Sequence, residues 1–208
     1  MKNLFSKYVI DKEIITFGEF QLKSGRKSPY FFNFGSFNNS TMLQELGEFY
    51  ADYIYKNNIQ CDLIFGSAYK GIPIALATSL MLKNKYNINK EFAFNRKEAK
   101  SHGDGGNMVG ALMTGKKVLA VDDVLTSGKT VLETIKIVKD NKAELSGFLV
   151  ALDREENYIE STIKASTYIK TELGLPFYCM SKIEDVLEVL REKNRVDIIN
   201  KIKVYLEK

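Results

Sequence analysis

A chain of 208 residues lies near the upper end of single-domain size and can bury most of the surface that its unfolded form exposes, so one domain spanning 1–208 is expected. Hydrophobic residues make up 45% and charged residues 27%, with only three prolines, a balance that excludes a disordered or fibrous chain. Thirty basic residues against 26 acidic ones leave +4, too mild an excess to coat a nucleic acid but enough to help draw in small anions.

The opening stretch, MKNLFSKYVIDKEIITF, is interrupted by Lys7, Asp11, Lys12 and Glu13 and has no apolar region suited to a secretion signal. The longest candidate membrane span, Gly71 to Leu82, has 12 uncharged residues, short of the ~20 that a membrane helix needs. A cytoplasmic location with no membrane or nucleic-acid partner is expected. Cys61 and Cys179 have no CxxC or Cys/His spacing around them and read as buried thiols.

Ile14 to Asn38 is rich in Phe and Gly without a helical period, and it predicts a small antiparallel cap within an N-terminal hood of about residues 1–40. Inside it, Leu22 to Gly35 (LKSGRKSPYFFNFG) sets the cations Lys23, Arg26 and Lys27 beside the rings of Tyr30, Phe31 and Phe32. That pairing suits a flat, negatively charged heterocycle. Leu46, Phe49, Tyr50, Tyr53 and Ile54 follow at helical spacing.

Short apolar runs then recur at Cys61 to Phe65, Glu91 to Asn95, Lys117 to Val121 and Leu145 to Leu152, as in strands buried on both faces. Helical patterns such as Val131, Ile135, Val138 lie between them. Ser181 to Lys208 reads as two closing helices, with Ile183, Val186, Leu187 and Leu190 on one face. Such alternation predicts an α/β fold with a central, mainly parallel sheet flanked by helices, in which ligands bind at the carboxyl ends of the strands.

Three strand-end segments carry chemistry. Phe65 to Ala75 (FGSAYKGIPIA) puts Tyr69, Lys70 and Gly71 at the mouth of a helix. Phe94 to Leu112 (FNRKEAKSHGDGGNMVGAL) sets Arg96, Lys97 and Lys100 against Glu98, holds the only histidine, His102, and carries four of the 14 glycines, which predicts a movable cationic lid over about 96–112. Val118 to Thr130 (VLAVDDVLTSGKT) runs from an apolar strand through Asp122 and Asp123 into a hydroxyl-rich turn that opens a helix. A helix start offers unpaired N–H groups to a phosphate, and Thr126, Ser127 and Thr130 add hydroxyls. The two carboxylates suit ribose hydroxyls or a hydrated magnesium ion. A triphosphate P-loop would need glycine five positions before Gly128, where the chain has Asp123.

This last segment resembles the phosphoribosyl pyrophosphate motif of the type I phosphoribosyltransferases, and with the other stretches the chain resembles orotate phosphoribosyltransferase along nearly its whole length. The resemblance implies the type I phosphoribosyltransferase fold and transfer of ribose 5-phosphate to orotate with magnesium. It gives the 5-phosphate to Val124, Leu125, Thr126, Ser127, Gly128, Lys129 and Thr130, and the ribose hydroxyls to Asp122 and Asp123, near which the metal binds mainly through the substrate. Tyr69 and Lys70 would contact the diphosphate, in a loop where Ser67 replaces a proline common in the family, a departure that bears on rigidity more than on ligand contacts. Arg96, Lys97, Lys100 and His102 would close over the diphosphate, reaching across a homodimer interface into the neighbouring site. Phe31, Phe32 and Thr126 would line the pyrimidine, Lys23 would reach the junction of base and ribose, and Arg154, which follows the last apolar run, would grip the orotate carboxylate. Lys100, His102, Asp122 and Asp123 are the implied catalytic set. No Ser/His/Asp or Cys/His arrangement is evident, as fits a reaction without a protein nucleophile. A purine or uracil phosphoribosyltransferase is the nearest rival, and a non-catalytic sensor of phosphoribosyl pyrophosphate is a rival of another class.

Overall fold

The structure, a computed structural model, describes residues 2–22, 26–100 and 106–207. Helix α1 (Lys2–Asp11) leads into a hairpin of β1 (Ile15–Gln21) and β2 (Lys27–Phe32), paired antiparallel from Ile15 opposite Phe32. A 3-10 turn at Phe34–Ser36 then leads to α2 (Ser40–Lys56), whose Asn39 cap accepts a bond from the Met42 N–H at 3.0 Å. The remaining elements are β3 (Leu63–Gly66), α3 (Gly71–Tyr86), β4 (Glu91–Lys100), β5 (Gly106–Gly110), β6 (Lys117–Leu125), α4 (Lys129–Asp140), β7 (Glu144–Asp153), α5 (Ala165–Thr171), β8 (Phe177–Lys182), α6 (Ile183–Glu192) and α7 (Val196–Leu206).

Six strands form one sheet in the order β5-β4-β3-β6-β7-β8, parallel except for β5. Its strands are apolar on both faces because both are covered. Ile64, Leu119, Val121, Leu149 and Ala151 join a core with α2, α3 and α6, while Leu63, Phe65, Val118, Ala120, Phe148 and Val150 pack with α4 and α5. From β3 the chain crosses over through α3 to β4 on one side, and from β6 through α4 to β7 on the other. The direction of winding therefore reverses between β3 and β6, and a crevice opens there beyond the strand ends.

Close backbone contact keeps that crevice narrow. A Cβ on Gly66 would come within 2.1 Å of the Gly71 carbonyl oxygen, so only glycine lets the start of α3 lie against the end of β3.

The expected α/β sheet is present, with differences of detail. Two of its strands, β5 and β8, were not predicted, and Ser181 and Lys182 complete β8, so the closing helices begin at Ile183. Strand β6 continues through the acidic pair to Leu125, because its partner β7 keeps pairing as far as Asp153 opposite Leu125. Within the expected hood, α1 packs on α6 and β8, and the hairpin sets β2 against α7, with Ile15, Tyr30 and Phe32 in the same core as Phe5 and Val9 of α1. The expected lid has strands for arms, β4 and β5, paired from Ala93 opposite Gly110 to Lys100 opposite Gly106.

Candidate active site

Near the β6 end, the acidic pair is 8% exposed at Asp122 and 4% at Asp123. Tyr50 of α2 donates its hydroxyl to the Asp122 carbonyl at 2.7 Å and fixes the strand end from below. The Asp123 N–H donates to Asp122 Oδ1 at 3.0 Å, and Lys70, from the loop after β3, donates to Asp123 Oδ2 at 2.7 Å. Burial, reinforced by the neighbouring Asp123 charge, pushes the Asp122 carboxyl up to about 8, with Lys70 opposing only in part. Two carboxylates held this close with one lysine form a site built to meet hydroxyls or a cation.

The turn after β6 is short, since α4 starts at Lys129. Gly128 takes the left-handed conformation at φ 82°, and no side chain caps the helix; the Val131 N–H already bonds the Gly128 carbonyl at 3.0 Å, and the Lys129 and Thr130 N–H groups are the ones placed for an anion. A Cβ on Gly128 would lie 2.6 Å from the Tyr158 ring, which is itself stacked on Tyr168 at 3.9 Å. The Ile159 N–H donates to the Ser127 carbonyl at 3.0 Å and ties the turn to the segment after β7. Thr126 and Lys129 are exposed, while Val124, Ser127 and Thr130 are half-buried. The Leu125 side chain is in the core, so that residue can serve a phosphate only through its backbone.

Across the crevice, the loop Ser67 to Lys70 contains a cis peptide bond between Ala68 and Tyr69. Asn95 Oδ1 accepts the Ala68 N–H at 2.9 Å, and Ser67 Oγ lies 3.1 Å from Thr134 Oγ1 in α4. Ser67 thus ties the loop through a hydroxyl contact to the helix that carries the phosphate turn. Tyr69 is 66% exposed and holds Lys97 of β4 over its ring, 4.9 Å from the centroid. Arg96, which was expected at the same site, instead borders a cavity of about 160 Å³ with Asp140 and Asn141 at the far end of α4. Lys23 and His102 lie outside the described residues, as does the Lys100 side chain.

Arg154 follows β7, and its N–H donates to the Leu125 carbonyl at 3.2 Å, which puts it beside the phosphate turn. Its guanidinium is 2% exposed and lies 4.2 Å over the Tyr30 ring. It donates through Nε to Glu156 Oε1 at 2.7 Å and through Nη2 to Ser28 Oγ at 3.0 Å. The hairpin is therefore anchored at the same crevice. Phe31 faces out at 37% exposure with Phe20 stacked on it at 5.6 Å, but Phe32 is 2% exposed and packed in the core. Successive strand residues face opposite ways, so the expected pair of lining rings reduces to Phe31, with Phe32 able to offer backbone only. Sequence reasoning missed Tyr50, Asn95, Ser28 and Tyr205, none of which has a local signature, whereas Glu156 lies two residues from Arg154 and pairs with it.

The model of the Phosphoribosyl transferase domain family matches residues 37–177. Orotate phosphoribosyltransferase of Vibrio parahaemolyticus is 43% identical over 97% of this chain and 94% of its own length. A crystal structure of orotate phosphoribosyltransferase from Francisella tularensis superposes with a TM-score of 0.84 at 40% identity, covering 97% of this chain and 96% of that one. UMP synthase of Leishmania donovani shares the fold with a TM-score of 0.79 at 23% identity, over 99% of this chain and 42% of that one.

Proposed function

The chain belongs to the orotate phosphoribosyltransferases of the phosphoribosyl transferase domain family, and on that premise we propose how its crevice works. The reaction moves ribose 5-phosphate from phosphoribosyl pyrophosphate to orotate, releasing diphosphate and making orotidine 5'-phosphate, a step of pyrimidine nucleotide synthesis. The observation that carries the assignment of roles is the meeting of three segments at one switch point: Lys70 on Asp123 at 2.7 Å, the uncapped turn before α4, and Arg154 bonded to Leu125 at 3.2 Å.

The uncapped start of α4, with Thr126, Ser127 and Thr130, takes the 5-phosphate. Asp122 and Asp123 hold the ribose hydroxyls, and Tyr69, Lys70 and Lys97 receive the diphosphate, with Lys100 and His102 from the lid. The Phe31 and Phe32 backbone borders the pyrimidine while Arg154 meets its carboxylate, for which a planar fork of donors is suited. As the anomeric carbon loses diphosphate, positive charge grows on the ribose and negative charge on the leaving group. Positioning and cationic groups lower that barrier without a covalent enzyme intermediate.

Among the described residues, no group of three or more His, Cys, Asp or Glu could cage a metal. The adjacent carboxylates of Asp122 and Asp123 instead fit a largely hydrated magnesium ion carried by the substrate's own oxygens. When bound, that ion supplies charge neutralisation on the departing diphosphate.

Two chains form a homodimer in this reading. Leu76 and Leu80 stand exposed one turn apart on α3, and the exposed Phe92 and Leu112 are neighbours through the bond from Ala111 N–H to the Phe92 carbonyl at 2.9 Å. Exposed apolar groups of this kind mark association surfaces. Leu80→Glu is expected to convert the dimer to monomer in light scattering after gel filtration, and an unchanged dimer mass would remove α3 from the interface. A cytoplasmic location accompanies the reading, and no helix of the described residues is long and apolar enough to cross a membrane.

Arg154→Lys keeps a charge in place but loses the fork, so KM for orotate should rise about tenfold or more while KM for phosphoribosyl pyrophosphate stays constant. An equal rise for both substrates would refute the assignment of Arg154. The function itself is tested by supplying magnesium, phosphoribosyl pyrophosphate and, in turn, orotate, uracil, adenine and hypoxanthine. Diphosphate release with orotate alone is the expected result, and release with a purine or with uracil would overturn it.

A further inference from the structure

Arg154 is not held by one partner. Glu156, 5% exposed, accepts three donors: Arg154 Nε at 2.7 Å and the Tyr205 hydroxyl at 2.6 Å on Oε1, and Arg26 Nη2 at 2.6 Å on Oε2. These donors come from the segment after β7, from the last helix α7, and from the residue before β2. Tyr205 also lies 3.4 Å from Arg154 Nη2 and meets Tyr30 edge-on, with ring centroids 6.1 Å apart. One carboxylate thus joins three separate parts of the chain around a single guanidinium.

Geometry makes this more than a structural ion pair. A guanidinium is a planar fork, and its usefulness to a ligand carboxylate depends on both its plane and its rotation within that plane. The Tyr30 ring at 4.2 Å sets the plane. Rotation is set by Glu156 on the Nε side and Ser28 on Nη2. Without Glu156 the Arg154 side chain would keep its burial and its ring contact but could turn about its own axis.

We propose that Glu156, fixed by Tyr205, is a positioning residue that orients Arg154 for the carboxylate of orotate, so that the carboxyl-terminal helix takes part in recognising the base. The proposal rests on Arg154 as the carboxylate contact. Glu156 touches neither substrate in this scheme and acts only through Arg154. It also sets the charge the pyrimidine meets: one carboxylate between Arg154 and Arg26 leaves a net single positive charge, matched to a single anionic group. The cost of burying Arg154 and Glu156 is met by hydrogen bonds on both carboxylate oxygens, one of them from the exposed Arg26.

Steady-state kinetics with both substrates varied tests this in three variants. Glu156→Gln, which keeps the shape and one acceptor oxygen, should raise KM for orotate about tenfold, with KM for phosphoribosyl pyrophosphate and kcat within a factor of about two. Tyr205→Phe removes one bond to Oε1 and should raise KM for orotate by about threefold, again selectively. A merely structural role would lower kcat or weaken both substrates together. If Glu156→Gln fails to fold, Tyr205→Phe carries the decision on its own. Orotate KM unchanged in the Glu156 and Tyr205 variants while Arg154→Lys raises it would overturn the positioning role alone. Orotate KM unchanged in Arg154→Lys as well would overturn the assignment on which it stands.

Discussion

Asp122→Asn should lower turnover by about 100- to 1000-fold and yet make the free protein harder to unfold at alkaline pH. The loss follows from the proposed role of Asp122 at the ribose hydroxyls, where charge develops on the sugar. The gain follows from linkage. Burial and Asp123 raise the folded-state Asp122 to about 8 from 3.8. Between those values the folded chain binds a proton that the unfolded chain does not, so stability from this group falls as pH rises from about 4 to 8. Asparagine cannot ionise, and its Oδ1 can still accept the Asp123 N–H. The variant should therefore match the parent near pH 4 and exceed it above pH 8 by roughly 1–3 kcal/mol in denaturant titrations. A variant less stable than the parent at pH 8 would show that the buried charge is compensated in the free protein.

Lys100→Ala should lower kcat by about 100- to 1000-fold while sparing orotate binding, because a lid cation acts on the leaving group and not on the base. Its backbone pairs with Gly106 at the tip end of the β4–β5 ribbon, well along from the sheet edge at Ala93 and Gly110. A ribbon carrying that lysine is suited to reach a second chain. If it does, Lys100→Ala chains mixed with Asp122→Asn chains should regain part of the lost activity, since a mixed dimer has one site with both native residues. Near-normal kcat in Lys100→Ala would remove the lid from the mechanism, and no recovery on mixing would confine each lid to its own chain.

Sequence and structure agree most where burial dictates the residues. Strands β3, β6 and β7 have covers on both faces, so Leu63 to Phe65, Val118 to Val121 and Phe148 to Leu152 had to be apolar without a break. The turn from Asp122 to Thr130 was legible because its chemistry is consecutive in the chain. Other features were hidden. Strand β8, ending in Ser181 and Lys182, looked like the start of a helix because its last residues carry no strand pattern. Phe31 and Phe32 looked alike until pairing with Thr16 and Ile15 fixed which ring is exposed and which is buried. Of the frame around Arg154 only Glu156 lies near it in the chain; Arg26, Ser28, Tyr30 and Tyr205 become its neighbours only when β2, β7 and α7 meet.

The central claim is spatial: one crevice at the β3 and β6 ends holds the sugar phosphate and the acidic ring together. A crystal structure with orotidine 5'-phosphate bound measures it directly. The expected result is the phosphate on the backbone N–H groups of Thr126 to Thr130, the ring beside the Phe31–Phe32 backbone and the carboxylate on Arg154. A phosphate bound elsewhere, or a carboxylate turned away from Arg154, would contradict it.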